Sequence, residues 1–349
     1  MARIAAIGTA VPPHCYRQQD LRAEAERHFK SGIEDIGRLA AVFDSVQIGQ
    51  RHFCVPLEWF HHDHSFTEKN NQYVRWAEEL AIQAIESCLN RVGIQPDEVD
   101  HLLFVSSSGL STPSIDARII NRLGFKPSVK RTPIFGLGCA GGAAGLSRCL
   151  DLARGAPRQR ILLIVVEISS LTFQFGDLSK SNLVASALFA DGSAAVLVCG
   201  SDCPEQGLEI VDSQSTLWPN TLDIMGWDFS EKGLHVVLSR NLPAVLSRHI
   251  RSNVEEFLAR NFLGIEAISR FIIHPGGAKV LAAFQKSLGL KNGELEHSRF
   301  VLENYGNMSA PTMLFILNQL LQAGAPHSAY GLCAAFGPGF SSELLLLKW

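Results

Sequence analysis

Two stretches of this chain follow the same order of events at the same spacing. "HLLFVSSSG" begins at His101, and Cys139 follows 38 residues later. "RFIIHPGG" begins at Arg270, and Asn307 follows 37 residues later. Each apolar run leads into a helical stretch that closes on "LGF" (123–125) or "LGL" (288–290). Cys139 and Asn307 each open a helix of small or apolar residues, "AGGAAGLSRCLDLARGAP" and "MSAPTMLFILNQLLQAGAP". Both helices end in "GAP" and lead to a further strand, at 161–168 and 330–336. Residue identity between the stretches is low, so the match is one of layout, the mark of a duplicated supersecondary unit. It predicts two similar halves, 1–205 and 206–349, joined near 200–210. The stretch of about 15–99 is more polar and helical and reads as an insertion or flank to the first half.

The repeated strands decide the class. "HLLFVSSSG", "ILLIVVEIS" (161–169), "AAVLVCG" (194–200) and "RFIIHPGG" are short runs of Val, Ile and Leu that alternate with helical patterns. Continuous apolar runs of this length suit strands buried on both faces. The expected fold is therefore α/β with several layers. "SQSTLWPNTLDIMGWDFSEKG" (213–233) is too irregular for a helix and reads as a loop or hairpin able to line a cavity.

Several function classes drop out on composition. The formal charge is −3, which gives no reason to expect nucleic acid or an anionic membrane as partner. The longest apolar runs, "ILLIVV" and "LLLL" (344–347), are strand-length, far short of the roughly 20 residues a membrane span needs. "MARIAAIGTAVPPHCY" reads as a first strand and loop, with no signal peptide expected. The eight cysteines have irregular spacings and form no CxxC pair, which points to free thiols in a reducing cytoplasm.

Three residues stand out as chemistry. Cys139 in "IFGLGCAGGAAGL" lies at a helix start, where peptide dipoles favour a thiolate. Gly138, Gly141 and Gly142 around it leave room for a substrate carbonyl. A buried packing cysteine is the competing reading. His274 closes a strand at "HPGG", the end of a strand where layered α/β folds build sites. Asn307 in "NYGNMSAP" precedes a helix and by itself reads as an N-cap. The duplication joins these readings, because a pseudo-twofold would carry all three to one centre as nucleophile, base or ion-pair partner, and neutral donor. "HHDH" (61–64) lacks metal-ligand spacing and reads as a solvated loop. Cys199 and Cys203 read as strand-end packing. No run reads as a nucleotide cradle, and no GXSXG elbow is present.

Five stretches together resemble the type III polyketide synthases, the chalcone-synthase-like branch of the thiolase-fold condensing enzymes. They are "GLGCAGG", "SNLVASALFADGSAAVLV" (181–198), "IIHPGG", "ENYGNMSAPT" and "FGPGFSSELLLL" (336–347), and they run in order over nearly the whole chain. The resemblance implies a layered αβαβα thiolase-like fold. It implies that Cys139 carries the acyl chain as a thioester and that His274 pairs with it to maintain thiolate. His274 and Asn307 would stabilise the enolate formed when malonyl-CoA loses carbon dioxide. No metal and no organic cofactor are implied, only CoA thioesters as substrates, and a homodimer is expected.

The same resemblance assigns a cavity. Phe189 matches one of two phenylalanines at the family's cavity mouth, and the other position falls on Val236, which should widen the opening. Ser107, Thr112, Thr172 and Ser309 correspond to further cavity positions, and Gly337, Pro338 and Gly339 of the C-terminal motif are expected to bind substrate as well. Of the family's basic CoA contacts only Arg38 keeps its charge, which leaves room for other basic residues or for an acyl carrier protein as starter donor. "VPLEWF" and "LWPNTLDIMGWDF" are similar to bacterial members that make alkylresorcinols or alkylpyrones from long fatty acyl starters. Two alternatives compete. One is a ketoacyl-carrier-protein synthase performing a single condensation, disfavoured because His274 is followed by Pro-Gly-Gly. The other is a non-catalytic acyl-binding protein, which has no need of all three residues.

Overall fold

The computed structural model describes residues 1–33, 35–324 and 329–349. The first half opens with β1 (Ala2–Ala10), β2 (His14–Arg17), α1 (Gln18–Phe29), α2 (Ile36–Ala40), α3 (Val42–Ser45) and β3 (Gln50–Phe53). It continues through α4 (Phe66–Asn90), β4 (His101–Val105), α5 (Ile115–Leu123) and β5 (Lys130–Ile134). It closes with α6 (Gly141–Gly155), β6 (Arg160–Ile168), α7 (Lys180–Leu188) and β7 (Asp191–Gly200). The second half runs β8 (Leu208–Leu217), β9 (Met225–Ser230), β10 (Gly233–Leu238), α8 (Leu242–Arg260), β11 (Ile268–Ile273) and α9 (Ala278–Leu288). It ends with α10 (Glu296–Tyr305), α11 (Pro311–Ala323), β12 (Tyr330–Gly337) and β13 (Ser341–Lys348).

Nine strands form one sheet in the order β5-β4-β6-β7-β1-β8-β13-β12-β11. β4 and β6 are parallel, as are β11 and β12. β6, β7 and β1 then alternate in direction, as do β12, β13 and β8. The halves therefore repeat each other in mirrored order about the β1–β8 seam. That seam is short, pairing only Ala2–Ile4 with Leu208–Ile210. The "LGF" and "LGL" signals are the stops of two counterpart helices. α5 and α9 each end on a glycine in the left-handed region, Gly124 and Gly289, both at φ +70°, where a side chain would be strained. The repeat is incomplete in one place, because α10 occupies the chain position where the first half has β5. The second "GAP" falls partly on Ala325 and Pro326, which lie outside the described residues.

Five layers result, as the resemblance implied. α11 carries no charged residue, and a helix apolar all round must be buried. It pairs with α6, and together they fill the space between the two halves' strands, against Leu163 and Val196 on one side and Cys333 and Leu345 on the other. Neighbouring strand residues point the opposite way: Leu162 and Leu197 meet α4 in one outer layer, and Leu332 and Leu344 meet α8 and α9 in the other. Burial on both faces is why these runs are continuously apolar. α4 falls within the stretch 15–99, yet it is the outer-layer helix of the first half, packed on β1, β7 and β6 as α8 is packed in the second. The residues outside the duplicated frame are thus those before α4, from β2 to the 3-10 turn at Leu57–His61.

Asp191 ties that extra segment to the frame. Its carboxylate accepts from the Cys54 amide at 2.8 Å, the Ser170 amide at 2.7 Å and the Ser170 hydroxyl at 2.6 Å. The fully buried Arg51 lies close enough to feel its charge. Asp191→Ala would leave three donors without their acceptor and a buried guanidinium without its nearby counter-charge, at an expected cost of about 3–5 kcal/mol. Chemical denaturation would read this directly, and a loss below about 1 kcal/mol would mean that water reaches the gap.

Candidate active site

Cys139 lies in a 3-10 turn, Gly138–Ala140, that feeds straight into α6. The turn needs its glycine: Gly138 has φ +47°, and a Cβ there would come within 2.8 Å of Pro338. The other two glycines serve a different purpose from the one expected. A Cβ on Gly141 would stand 2.7 Å from Val105, and one on Gly142 would stand 2.5 Å from the Ala310 carbonyl oxygen. They let α6 approach the start of α11 at backbone distance and leave substrate access to other atoms. Gly136, Gly138 and Gly141 do carry a G-x-G-x-x-G spacing between β5 and α6. These contacts take up the space a pyrophosphate would need.

His274 follows β11, its amide bonded to the Ala334 carbonyl at 2.9 Å, and the chain then breaks into Pro275-Gly276-Gly277 before α9. Asn307 is held by backbone on both sides. Its amide donates to Leu188 O at 3.0 Å, and its carbonyl accepts from Ala190 N at 2.9 Å, a bridge that pairs it with Phe189. Its side chain is oriented as well. Oδ1 accepts from the Ser309 amide at 2.8 Å, which fixes the amide so that Nδ2 is the outward donor, 3.5 Å from Gly276 O. Ser309 holds the left-handed conformation, φ +58°, to make this turn. Asn307 is not the N-cap of α11, a position occupied by Ala310.

These three residues line one cavity of about 1250 Å³, together with Phe189, Val236, Ser309 and Pro338. All three are buried. Burial pushes the Cys139 thiol up to about 11; hydrogen bonds from Ser309 and Asn307 lower it, and the nearby Glu167 charge raises it. Burial therefore outweighs the helix-start effect that the sequence suggested. Neither ring nitrogen of His274 has a hydrogen-bond partner, and burial lowers its imidazole to about 4. In this arrangement the sulfur is a thiol and the ring is neutral. An ion pair, with the protonated ring donating to a thiolate, would lower the thiol value and raise the ring value.

Glu167 was missed in the sequence. It is fully buried and accepts from the Ser107 amide at 3.1 Å and the Ser107 hydroxyl at 2.7 Å, and burial raises its carboxyl to about 7. Ser107 is spent on this bond and does not line the cavity. Thr112 is exposed on the loop that leaves β4, also away from the cavity. Gly337 backs the Cys139 turn, since a Cβ there would reach Leu137 O at 2.6 Å, and Gly339, at φ +90°, turns the chain into β13.

Arg38 does line the cavity, and it has company the sequence did not reveal. Lys180, Arg240 and Lys279 also line it, all three exposed, with Asp35 the one acidic residue among the described lining. They come from α7, the link between β10 and α8, and α9, so no local pattern announces them. The 213–233 stretch is the end of β8, then β9 and the start of the hairpin into β10, with its Met225 and Trp227 on the cavity wall beside Val236 of β10.

A second, mainly apolar pocket of about 430 Å³ shares Phe189 and Val236 with the first. Thr172 lines this pocket, along with Leu21, Phe29, Phe43, Phe53 and Phe60 from the segment outside the duplicated frame. The "HHDH" residues scatter to separate partners: His61 to Glu24, Asp63 to Lys232, and His64 stacked on Trp59.

Comparison with known proteins places the chain. Residues 1–203 match the model of the N-terminal domain of chalcone and stilbene synthases, and residues 209–349 match that of the C-terminal domain. A "putative chalcone synthase" of Bacillus subtilis is 42% identical over 361 residues, covering 100% of this chain and 99% of the relative. A 1,3,6,8-tetrahydroxynaphthalene synthase of Streptomyces peucetius is 37% identical, covering 99% of this chain and 93% of the relative. Among solved structures, the 1,3,6,8-tetrahydroxynaphthalene synthase of Streptomyces coelicolor, a bacterial type III polyketide synthase, superposes with a TM-score of 0.95 at 27% identity, covering 99% of both chains. The C-terminal type III polyketide synthase domain of a Dictyostelium type I/III hybrid gives 0.93 at 28% identity, again covering 99% of both chains.

Proposed function

Because this chain belongs to the chalcone and stilbene synthase family, the type III polyketide synthases, and so condenses acyl units by decarboxylative Claisen chemistry with malonyl-CoA, we propose that Cys139, His274 and Asn307 carry that chemistry. The observation behind this is their common position on one buried cavity wall. The Cys139 sulfur attacks the starter thioester carbonyl as its proton passes to His274, and CoA departs as the thiol, leaving the acyl group on sulfur. Malonyl-CoA then presents its thioester oxygen to His274 and to Asn307 Nδ2. Loss of carbon dioxide leaves the electron pair on the enolate, whose oxygen these donors stabilise. The enolate carbon attacks the Cys139 thioester, a carbon–carbon bond forms and the sulfur is released for the next round.

The four basic residues at the cavity, Arg38, Lys180, Arg240 and Lys279, suit the phosphates of CoA. An acyl carrier protein would offer the same thioester on a phosphorylated arm. Exposed Leu110 and Phe135, in the loops after β4 and β5, suit a homodimer contact. No described helix is long and apolar enough to cross a membrane.

We further propose a long-chain fatty acyl starter and an alkylpyrone or alkylresorcinol product. The mainly apolar pocket that shares Phe189 and Val236 with the Cys139 cavity supports this, because it offers an acyl tail apolar walls to bury against. Purified enzyme given malonyl-CoA and acyl-CoA starters of increasing length, with products identified by mass, tests the reading. Tetrahydroxynaphthalene from malonyl-CoA alone, with no use of long starters, would instead align this chain with the Streptomyces relatives. Val236→Phe should narrow the passage between the pockets and shift the preferred starter to shorter chains. An unchanged length profile would remove the gate from the argument.

A further inference from the structure

Far from the reaction cavity, the link between the halves gathers metal-binding side chains. Cys199 is the penultimate residue of β7, and Cys203 and Glu205 follow in the turn toward β8. Their two sulfurs and a carboxylate oxygen all lie within 4.8 Å of one another. Phe189, on the cavity wall, lies ten residues back along the strand direction, about 30 Å away at the rise of an extended chain. None of the three residues lines either pocket.

The carboxylate shows which way the cluster faces. The Glu205 side chain is only 9% exposed. Oε1 is taken by Arg160, at 2.9 Å from Nε and 2.8 Å from Nη2. Oε2 is buried and meets no nitrogen or oxygen donor, only the weakly donating Cys199 thiol beside the carboxylate. The Cys203 thiol faces the Pro157 and Gln159 carbonyls at 3.9 and 3.6 Å. A buried carboxylate oxygen met by a thiol alone is costly unless something more electropositive meets it. The turn is also held in place beforehand: Arg3 donates to the backbone oxygens of Ser201, Cys203 and Glu205, and the Cys203 amide bonds to Gly200 O at 3.2 Å.

We propose that Cys199, Cys203 and Glu205 bind a thiophilic d¹⁰ divalent cation of the Zn²⁺ type. The C-x₃-C spacing lies within the range of zinc sites, and two sulfurs with one oxygen suit Zn²⁺ rather than the all-oxygen cations. Tetrahedral coordination with bonds of about 2.3 Å places two sulfurs roughly 3.8 Å apart, inside the 4.8 Å span of the present cluster. Binding releases one proton from each thiol and forms two sulfur–metal bonds and one oxygen–metal bond, with water in the fourth position. Two thiolates, one carboxylate, Zn²⁺ and the Arg160 guanidinium sum to neutrality, which a largely buried site requires. The ion would staple the crossover between the halves. It takes no part in condensation, so the family's metal-free chemistry is untouched, and the packing role first read for these cysteines becomes a ligand role.

The test uses the full chain, stripped with chelator under reductant and then equilibrated with Zn²⁺ or Co²⁺ alone. The expected result is one ion per chain, a thiolate-to-cobalt charge-transfer band and a raised melting temperature. Cys203→Ser and Glu205→Gln should each weaken binding by about tenfold or more while condensation rates stay at the wild-type level. Glu205→Gln keeps the shape of the turn and covers the case in which the serine variant fails to fold. The proposal fails if the wild-type chain takes up no ion. It fails equally if both variants bind as tightly as wild type, or if peptide mass shows that Cys199 and Cys203 join only as a disulfide and bind no metal when reduced.

Discussion

Cys139→Ala is expected to abolish product formation, by more than about 10³-fold, while leaving the chain folded and able to release carbon dioxide from malonyl-CoA. Every condensation in the proposed cycle passes through the thioester on this sulfur, so no slower route of similar geometry remains. The substitution keeps Cβ and removes one buried atom, so the turn at Gly138–Ala140 should persist. The retained carbon dioxide release is the sharper half of the prediction, because His274 and Asn307 reach the cavity from the other half of the molecule and do not depend on the sulfur. Intact mass after incubation with an acyl-CoA should show no adduct. An adduct that survives in the variant would assign the acyl chain to another residue.

Asn307→Ala should do the reverse. Acyl loading on Cys139 is expected to continue, and malonyl-CoA decarboxylation should fall by about 10²–10³-fold, the usual cost of losing one donor aimed at a developing oxyanion. The loss should fall on Nδ2, since Oδ1 is already committed to the Ser309 amide. Asn307→Asp preserves that acceptor and removes the donor, so it should fall nearly as far. Normal decarboxylation by either variant would contradict the role assigned to Asn307. Together the two substitutions separate loading from decarboxylation, with one residue from each half of the duplication.

Much of the architecture was legible because the repeat imposed it. The continuous strands, the two left-handed glycine stops and the small-residue helices after Cys139 and Asn307 are local signals, and mirrored strand order follows from placing them twice. The meeting of Cys139, His274 and Asn307 at one cavity was legible in the same spacing, and their chemical roles are what the two substitutions examine. What escaped reading came from contacts between distant parts of the chain. α4 belongs to the frame because it packs on β1 and β7, although its polar exposed face made it look like part of the insertion. Lys180, Arg240 and Lys279 come together only after folding. Ser107 and Thr112 were placed by correspondence with the family's cavity; here one is held by Glu167 and the other faces outward. The raised thiol value follows from burial, which a single sequence does not display.

The contact between α6 and α11 has a consequence for how chain growth ends. Ala310 O lies where a Cβ on Gly142 would come within 2.5 Å of it, so the two central helices already touch through their backbones. Close-packed backbone gives little under load. Cys139 and Ser309, just ahead of these two helices, line the cavity, so that side of it is backed by packed backbone, and the room a lengthening chain would find is set by side chains on the other walls. Product size would then work like a gauge block, changing in discrete steps as single wall residues are exchanged, with the packed side as the fixed reference.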